Sequence, residues 1–216
     1  SQESPISSQI IYGEKFKILA KNNGWLKIKI LFDNYIGYIK DKNYTINHKP
    51  SHKVSALKAN IFNIPKNKTK YYLPFSSKIS IRQEKKDIKN INHKEKDFLK
   101  ILRLFLKTKY VWGGKTCKGI DCSALLQLFY YYNNSFYPRD TKDQMKYSKK
   151  TLEKGVLKKG DIIFWKGHVA ICINSKELTH AYRPEKKVLI MSITKTIDRI
   201  KKTARLDVKK ISSIKY

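Results

Sequence analysis

The sequence is poor in acidic residues. It holds 17 aspartates and glutamates against 47 lysines and arginines, a formal net charge of +30. A charge this basic favours an anionic partner. Lysine is nevertheless scattered through nearly every segment with many Asn, Ile, Tyr and Phe residues, whose codons are also rich in A and T. Because a biased genome explains all five enrichments, we expect no nucleic-acid partner. A functional basic surface is the alternative, and either interpretation implies weak attraction to anionic surfaces at low salt.

Cysteines are also few. Cys117, Cys122 and Cys172 form an odd set whose spacings fit neither a disulfide framework nor a zinc site. At least one thiol is therefore free, and we expect no metal ion or other cofactor. Free thiols favour a cytoplasmic location. The sequence opens at Ser1 rather than Met, so removal of a leader would instead allow a periplasmic or cell-envelope location.

Long apolar runs are missing as well. No uninterrupted apolar stretch approaches the roughly 18 residues that cross a bilayer, so we expect no membrane span. The opening residues SQESPISSQI lack the basic-then-apolar order of a secretory signal. The apolar content is still 41% of the residues, which is enough for a packed core and excludes a disordered chain.

The first half of the sequence is typical of short strands. Residues 9–46 contain alternating stretches such as KFKIL and LKIKI, separated by Asn, Gly or Asp. We predict a small all-β barrel over residues 1–48. Residues 49–92 hold a poorer copy with Pro65 and Pro74, interpreted as a truncated second barrel or a linker. The charged segment 83–97 has almost no apolar residues and is predicted to be the domain boundary.

The second half changes to helical spacing and then to strands. Phe98, Ile101, Leu102 and Phe105 form one apolar face, and a second helix is predicted from Cys122 to Tyr132. Four strands follow in DIIFWK, HVAICIN, ELTHAYR and KVLIMSI. We therefore predict an α+β catalytic domain over residues 93–216, with helices packed on an antiparallel sheet and a small all-β barrel domain before it.

Cys122 is the candidate nucleophile. It opens an apolar helix with Asp121 placed as the cap, and the N–H groups of a helix start are expected to lower the pKa of a thiol there. A small buried core residue is the alternative. His168 follows a Lys-Gly turn at the start of a strand, and His180 lies on the next strand, where antiparallel pairing would bring the two rings together. His168 would then act as the base and His180 would orient it.

The motifs across residues 98–182 resemble those of the NlpC-type cell-wall cysteine peptidases, a branch of the papain-like superfamily. They are Y-V-W-G-G, D-C-S, P-R-D-T, G-D-I-I-F-W, H-V-A-I and H-A. The segments Y-G-E-K-F, G-W-L-K-I and Y-I-G-Y-I resemble the bacterial Src-homology-3-like barrels that precede such domains in γ-D-glutamyl-L-diamino acid endopeptidases. The resemblance implies a papain-like fold with Cys122, His168 and His180 as the catalytic triad.

The resemblance also implies residues that contact substrate. Tyr110 would line the cleft near the developing oxyanion, Asp121 and Ser123 would contact the γ-D-glutamyl portion, and Arg139 would pair with a substrate carboxylate. Further implied cleft residues are Trp112 and Thr141. An acidic barrel residue would bind the free α-amine of the peptide, with Asp33 as the first candidate and Glu14 as the second.

The function implied is hydrolysis of the γ-D-glutamyl-diamino acid bond in free murein stem peptides of the L-Ala-γ-D-Glu-diaminopimelate type. One alternative is a hydrolase of intact cross-linked peptidoglycan, with the barrel as a wall-targeting module. A non-catalytic wall-binding module is the other, and it would require loss of the triad, whereas all three residues are present.

Overall fold

The computed structural model describes residues 6–44, 47–61, 71–82, 85–148 and 155–215. None of the helices within these ranges combines the length and apolar character that a membrane crossing requires. The α+β class predicted from the sequence is confirmed, with strands in the first half and helices packed on an antiparallel sheet in the second.

The first β unit is a three-stranded antiparallel sheet in the order β1-β2-β3. Its strands are β1 (Phe16–Asn22), β2 (Trp25–Ile30) and β3 (Ile36–Lys40). Asn23 and Gly24 both adopt positive φ between β1 and β2, as a two-residue hairpin turn requires. Every second residue of β2 is buried, so the alternating LKIKI pattern gives the strand that it predicts.

The second β unit contains five short strands. They are β4 (His52–Val54), β5 (Lys58–Ile61), β6 (Tyr71–Pro74), β7 (Lys78–Ile79) and β8 (Ile88–Asn90). Val54, Ala59, Ile79 and Ile88 form a small buried cluster of their own. Part of the charged segment 83–97 is structured, because β8 pairs with β4 and buries Ile88. The domain boundary itself stays a prediction. The predicted Pro65 connection lies outside the described residues.

The catalytic region, defined as residues 98–215 and containing the candidate catalytic residues, begins with helices and a short hairpin. These are α1 (Phe98–Leu104), β9 (Lys115–Thr116), β10 (Gly119–Ile120), α2 (Cys122–Tyr132) and α3 (Thr141–Tyr147). All residues of α2 are buried, because the helix lies between α1, the sheet that follows and the two β units. Helix α3 was not predicted separately.

A five-stranded antiparallel sheet completes the fold in the order β14-β13-β12-β11-β15. Its elements are β11 (Asp161–Trp165), β12 (His168–Cys172), β13 (Glu177–Tyr182), β14 (Lys187–Ser192), helix α4 (Ile193–Ala204) and β15 (Lys210–Ser213). The four predicted strands are confirmed, and α4 and β15 are additions. One face of the sheet packs on α2 through residues such as Val169 and Ile171, while the other face packs on α4.

Candidate active site

Helix α2 presents Cys122 in its first turn. Asp121 has extended backbone angles and is the N-cap, and its carboxylate accepts the Ala124 backbone N–H at 2.8 Å. Cys122 is the first residue of the helix and is buried. The predicted placement of Asp121 as cap and Cys122 in the first turn is confirmed.

The Cys122 thiol holds its proton more tightly than its place at a helix start predicts. Burial raises its pKa, and the Asp121 carboxylate adds to the shift, to about 11. Hydrogen bonds from the Val169 backbone N–H and the Thr141 side chain, and the charge of Arg139, act in the opposite direction but are weaker. The expected lowering of the pKa is therefore wrong. At neutral pH the thiol is protonated, so a base must take its proton during nucleophilic attack.

His168 and His180 are hydrogen bonded to each other. Strands β12 and β13 are antiparallel neighbours, and Nε2 of His168 lies 2.9 Å from Nδ1 of His180. The backbone N–H of Val169, the residue directly after His168, is one of the groups that lower the pKa of the Cys122 thiol, so the thiol lies close to the start of β12. The predicted juxtaposition of the two rings on neighbouring strands is confirmed.

Met191 fixes which nitrogen of each ring carries a proton. Its thioether sulfur lies 3.4 Å from Nε2 of His180 and can only accept a hydrogen bond. Nε2 of His180 therefore carries the proton, and Nδ1 accepts from Nε2–H of His168. This chain leaves Nδ1 of His168 with a free lone pair, the state that a base requires. Met191 was missed in the sequence because thioether contacts have no motif.

Burial keeps both imidazoles neutral. It lowers the pKa of His168 to about 4. Burial, assisted by the charges of His168 and Arg199, places the pKa of His180 far below its usual range. The ring of Tyr182 stacks on His180 with centroids 4.5 Å apart and an interplanar angle of 11°, which holds the orienting ring in place. His168 is thus available as a base at neutral pH.

Tyr110 lies beside the helix start. Its backbone bridges that of Ile120, two residues before Cys122. Burial raises the pKa of its phenol well above the usual range, and Cys122 and Asp121 raise it further, which shows how close these groups are. The phenol is therefore protonated and able to donate a hydrogen bond. That the Tyr110 hydroxyl donates a hydrogen bond to the oxyanion stays a prediction.

Arg139 binds Asp121. Its buried guanidinium donates to both carboxylate oxygens of Asp121, at 3.0 and 2.7 Å, and to Ser123 Oγ at 2.9 Å. Burial alone would lower the pKa of Arg139, but the Asp121 carboxylate outweighs burial and raises it. Four of its five N–H donors are thus used inside the protein, so this geometry does not favour Arg139 as the partner of a substrate carboxylate, and that role stays a prediction. Asp121 and Ser123 likewise bond to Arg139 and to each other.

The two acidic residues expected to bind a substrate amine are both engaged elsewhere. Glu14 is buried, with Oε1 2.5 Å from Lys115 Nζ and Oε2 accepting the Ile11 N–H. Asp33 accepts the Tyr35 N–H with one oxygen and the Gln127 side-chain amide with the other, at 3.0 and 2.8 Å. Because Gln127 lies on α2, Asp33 attaches the first β unit to the catalytic region. This geometry does not favour either residue as an amine site.

The P-R-D-T stretch contains an acidic residue that the sequence reasoning missed. Asp140 precedes α3 but its side chain makes no capping hydrogen bond. It is exposed, and no described residue forms a hydrogen bond or ion pair with its carboxylate. Its neighbour Thr141 is buried and bonded to the Cys122 thiol. The Asp140 carboxylate, unpaired among the described residues, is therefore next in sequence to a residue close to the nucleophile. The available sequence signal for Asp140 was its position between Arg139 and Thr141, which were both assigned to the substrate cleft.

Trp112 is 63% exposed on the turn before β9, so its ring is available to a ligand. Across the described ranges, no group of three His, Cys, Asp or Glu side chains is arranged to hold a metal ion.

Two regions of the chain are similar to known protein families. Residues 107–204 match the NlpC/P60 family, and residues 1–43 match the bacterial dipeptidyl-peptidase Sh3 domain. Dipeptidyl-peptidase 6 of Lysinibacillus sphaericus is 35% identical over 77 residues, 36% of this chain and 28% of that protein. The gamma-D-glutamyl-L-lysine dipeptidyl-peptidase of Bacillus subtilis is 30% identical over 109 residues, 47% of this chain and 36% of that protein.

The matched region thus spans about a third of the length of these curated relatives. A crystal structure of an NlpC/P60 family protein from Bacillus cereus superposes with a TM-score of 0.75 and 21% identity, over 87% of this chain and 77% of that one. This similarity shows the fold. Residues 107–204 therefore belong to the NlpC/P60 cysteine-peptidase family at the level of this segment, and residues 1–43 match the bacterial dipeptidyl-peptidase Sh3 domain that precedes it.

Proposed function

We propose that this protein hydrolyses the γ-D-glutamyl-diamino acid bond of peptidoglycan stem peptides, with Cys122 as nucleophile, His168 as base and His180 as orienting residue. The observation that carries the proposal is the His168–His180–Met191 hydrogen-bond chain next to the thiol at the start of α2. The bond specificity is supported by the name of the relative from Bacillus subtilis, a gamma-D-glutamyl-L-lysine dipeptidyl-peptidase.

Acylation begins with a neutral thiol and a neutral imidazole. Nδ1 of His168 takes the thiol proton as Sγ attacks the γ-carbonyl carbon of D-glutamate, and the carbonyl π electrons move to oxygen. The backbone N–H of Cys122 and the Tyr110 hydroxyl are the proposed donors to this oxyanion. When the tetrahedral intermediate collapses, the C–N bond breaks, and His168 protonates the leaving amine of the diamino acid.

Deacylation reverses the roles. His168, neutral again, removes a proton from water as the water oxygen attacks the thioester carbon. The C–S bond then breaks, the thiolate regains a proton from His168, and the γ-carboxylate of D-glutamate is released. Each step uses the same nitrogen of His168. The hydrogen bond to His180 stabilises the imidazolium that forms in both halves of the reaction.

Asp140 is the proposed binding site for the free α-amine of the peptide. It has the free carboxylate that Asp33 and Glu14 lack, and it adjoins Thr141. A charge-assisted hydrogen bond to an ammonium group is among the stronger polar contacts. Selection for a free amine would restrict cleavage to stem peptides with an open N-terminus.

A hydrolase of intact peptidoglycan is the second candidate, favoured by the net charge of +30. A basic protein is attracted to an anionic wall, and this attraction weakens with salt. The two candidates differ in substrate and not in the bond that breaks. A turbidity assay on intact sacculi at low and high salt tests the second directly.

The deciding experiment is mass spectrometry of products from L-Ala-γ-D-Glu-diaminopimelate and its lysine analogue. We expect L-Ala-D-Glu and the free diamino acid, and no product from the Cys122→Ala variant. Alanine at a helix start changes packing little, so circular dichroism should show this variant folded. Cleavage between L-Ala and D-Glu, or turnover by Cys122→Ala, would contradict the proposal.

A further inference from the structure

The N-terminal segment, defined as residues 6–14, lies against the catalytic region. Ile11 is buried within the same core cluster as α2. The Gln9 side-chain oxygen accepts the Lys115 backbone N–H at 2.8 Å. Gly113 has a φ of +72°, and a Cβ at this position would lie 2.6 Å from the Ile6 carbonyl oxygen. The segment therefore runs directly over the glycine-rich turn that precedes the nucleophile.

A buried ion pair anchors the end of this segment. Glu14 Oε1 and Lys115 Nζ are 2.5 Å apart, and both side chains are almost fully excluded from solvent. Losing one partner would leave the other charge buried without compensation, which is strongly destabilising. The segment is therefore held in one position relative to β9.

Ser8 is the residue of this segment that reaches the nucleophile's surroundings. Its hydroxyl accepts a hydrogen bond from Nε of Arg139 at 2.9 Å. Three further hydrogen bonds, from Nη1 and Nη2 of Arg139, go to Asp121 and Ser123, the residues on either side of Cys122. Asp121 in turn caps α2 through Ala124 and accepts the Gly113 N–H at 3.0 Å. A continuous path of hydrogen bonds runs from Ser8 to the helix start.

We propose that Ser8 is a positioning residue for the nucleophile, fixing the Arg139 guanidinium so that Asp121 and Ser123 hold Cys122 in its reactive orientation. Ser8 acts through Arg139 and does not touch substrate. The segment that precedes the Sh3 strands thereby contributes to the catalytic site of the NlpC/P60 domain. The turnover assay for this inference relies on the proposed function, whereas the thiol-reactivity assay does not.

Removal of the Ser8 hydroxyl should change the chemistry of Cys122. A guanidinium with one hydrogen bond fewer is held less firmly against the Asp121 carboxylate and compensates its charge less well, and Asp121 raises the pKa of the thiol while Arg139 lowers it. The thiolate fraction at a given pH should fall. Substrate affinity should stay the same, because the cleft loses no group that binds substrate.

The experiment compares Ser8→Ala with Ser8→Thr, which keeps a hydroxyl. Ser7→Ala, at the exposed neighbouring serine, is the matched control. Gln9→Ala removes a contact of the segment with Lys115 without touching Arg139. All variants are made in a Cys117→Ser background, so that iodoacetamide reports on Cys122. The readouts are kcat and KM on the tripeptide, the alkylation rate of Cys122 at pH 8, and Tm.

Ser8→Ala should lower kcat about 3- to 10-fold at unchanged KM, the effect of losing one hydrogen bond, and slow alkylation by a similar factor. Ser8→Thr should restore both within about twofold. Ser7→Ala should match the parent, and Gln9→Ala should lower Tm with little effect on kcat. Should Ser8→Ala unfold at the assay temperature, Ser8→Cys, a weaker acceptor, should show an intermediate loss of kcat, the readout that an added thiol does not disturb.

Three results would overturn the assignment. Ser8→Ala could match Ser7→Ala in both kcat and alkylation rate, Ser8→Thr could be as slow as Ser8→Ala, or Gln9→Ala could lower kcat as much as Ser8→Ala. Absence of tripeptide cleavage by the parent enzyme would instead contradict the proposed function. The alkylation comparison needs no substrate and would still decide the role of Ser8.

Discussion

The two nitrogens of the His168 ring have different tasks. Nδ1 accepts the proton of the thiol, and Nε2 holds the ring against His180. Replacing His168 with Ala removes proton transfer and should lower kcat about 100- to 10,000-fold. Replacing His180 with Ala leaves a base in place and should lower kcat less. Steady-state kinetics of both variants measure this, and a larger loss at His180 would reverse the two roles.

The fall of kcat/KM at acidic pH should report the protonation of the His168 ring. Its pKa is lowered to about 4 by burial, so the neutral base persists down to mildly acidic pH. kcat/KM should therefore be nearly flat from about pH 5 to neutrality and fall as the pH drops through about 4, where the ring becomes protonated. An activity loss centred near pH 6.5, the ordinary value for histidine, would show that the ring is solvated in the working enzyme.

At the scale of elements, helix α2 is held at both ends by groups from other parts of the chain. Asp121 caps its start, and the buried Lys53 of β4 donates to the Tyr132 carbonyl at its end, at 2.5 Å. A cation at a helix C-terminus is favourable. Burial, together with the charges of Lys94 and Lys78, nevertheless lowers the pKa of Lys53 to about 7.

This lowered pKa predicts a pH-dependent stability. Between about pH 7 and 10.5 the unfolded chain holds the Lys53 proton and the folded protein does not. The free energy of unfolding should then rise with pH, by up to about 1.4 kcal/mol per pH unit from this group. Urea titrations of the parent and Lys53→Met from pH 7 to 9.5 measure the difference in slope. Identical slopes would mean that Lys53 stays charged in the folded state.

The same element shows what the sequence can and cannot predict. The apolar run after Asp121 predicts α2 and its cap, because both depend on neighbouring residues. The alternation of LKIKI predicts β2 in the same way. The ion pair of Asp121 with Arg139 joins residues 18 positions apart, and the contact of Arg139 with Ser8 spans 131 positions. Local patterns carry no signal for such contacts, so Arg139 was assigned to substrate.

The raised pKa of Cys122 was missed for a related reason. The position at a helix start is visible in the sequence, but the burial that outweighs it comes from the tertiary packing of Cys122 in the core cluster around α2. The His168–His180 pair was predictable, because consecutive antiparallel strands are usually neighbours. The intramolecular partners of Asp33 and Glu14 could not be predicted, because Gln127 and Lys115 lie in the other half of the chain.

At the scale of the whole molecule, the free end of the substrate is the feature to test. If Asp140 binds the α-amine, N-acetylation of the alanine should lower kcat/KM about 10- to 100-fold, since a charge-assisted hydrogen bond is lost and the carboxylate is left unpaired. Asp140→Asn should remove most of that discrimination. The measurement is the ratio of kcat/KM for free and acetylated tripeptide in both enzymes.

Asp33→Asn is the matched control for this prediction, because Asp33 is the barrel carboxylate whose oxygens are already occupied. It should retain the discrimination of the parent. Loss of discrimination in Asp33→Asn but not in Asp140→Asn would return the amine site to the first β unit. Clearance of sacculi without any penalty for acetylation would favour the hydrolase of intact peptidoglycan.

The buried Glu14–Lys115 pair also bears on how such a protein can evolve. A catalytic half joined to a different N-terminal region would bury the Lys115 ammonium without a carboxylate partner and would lose the core contacts of Ile11. A hybrid protein made by recombination would therefore rarely fold unless its new N-terminal region supplied a carboxylate at the position of Glu14. The two halves are expected to be passed on together, and changes at residue 14 to be accompanied by changes at residue 115 in related lineages.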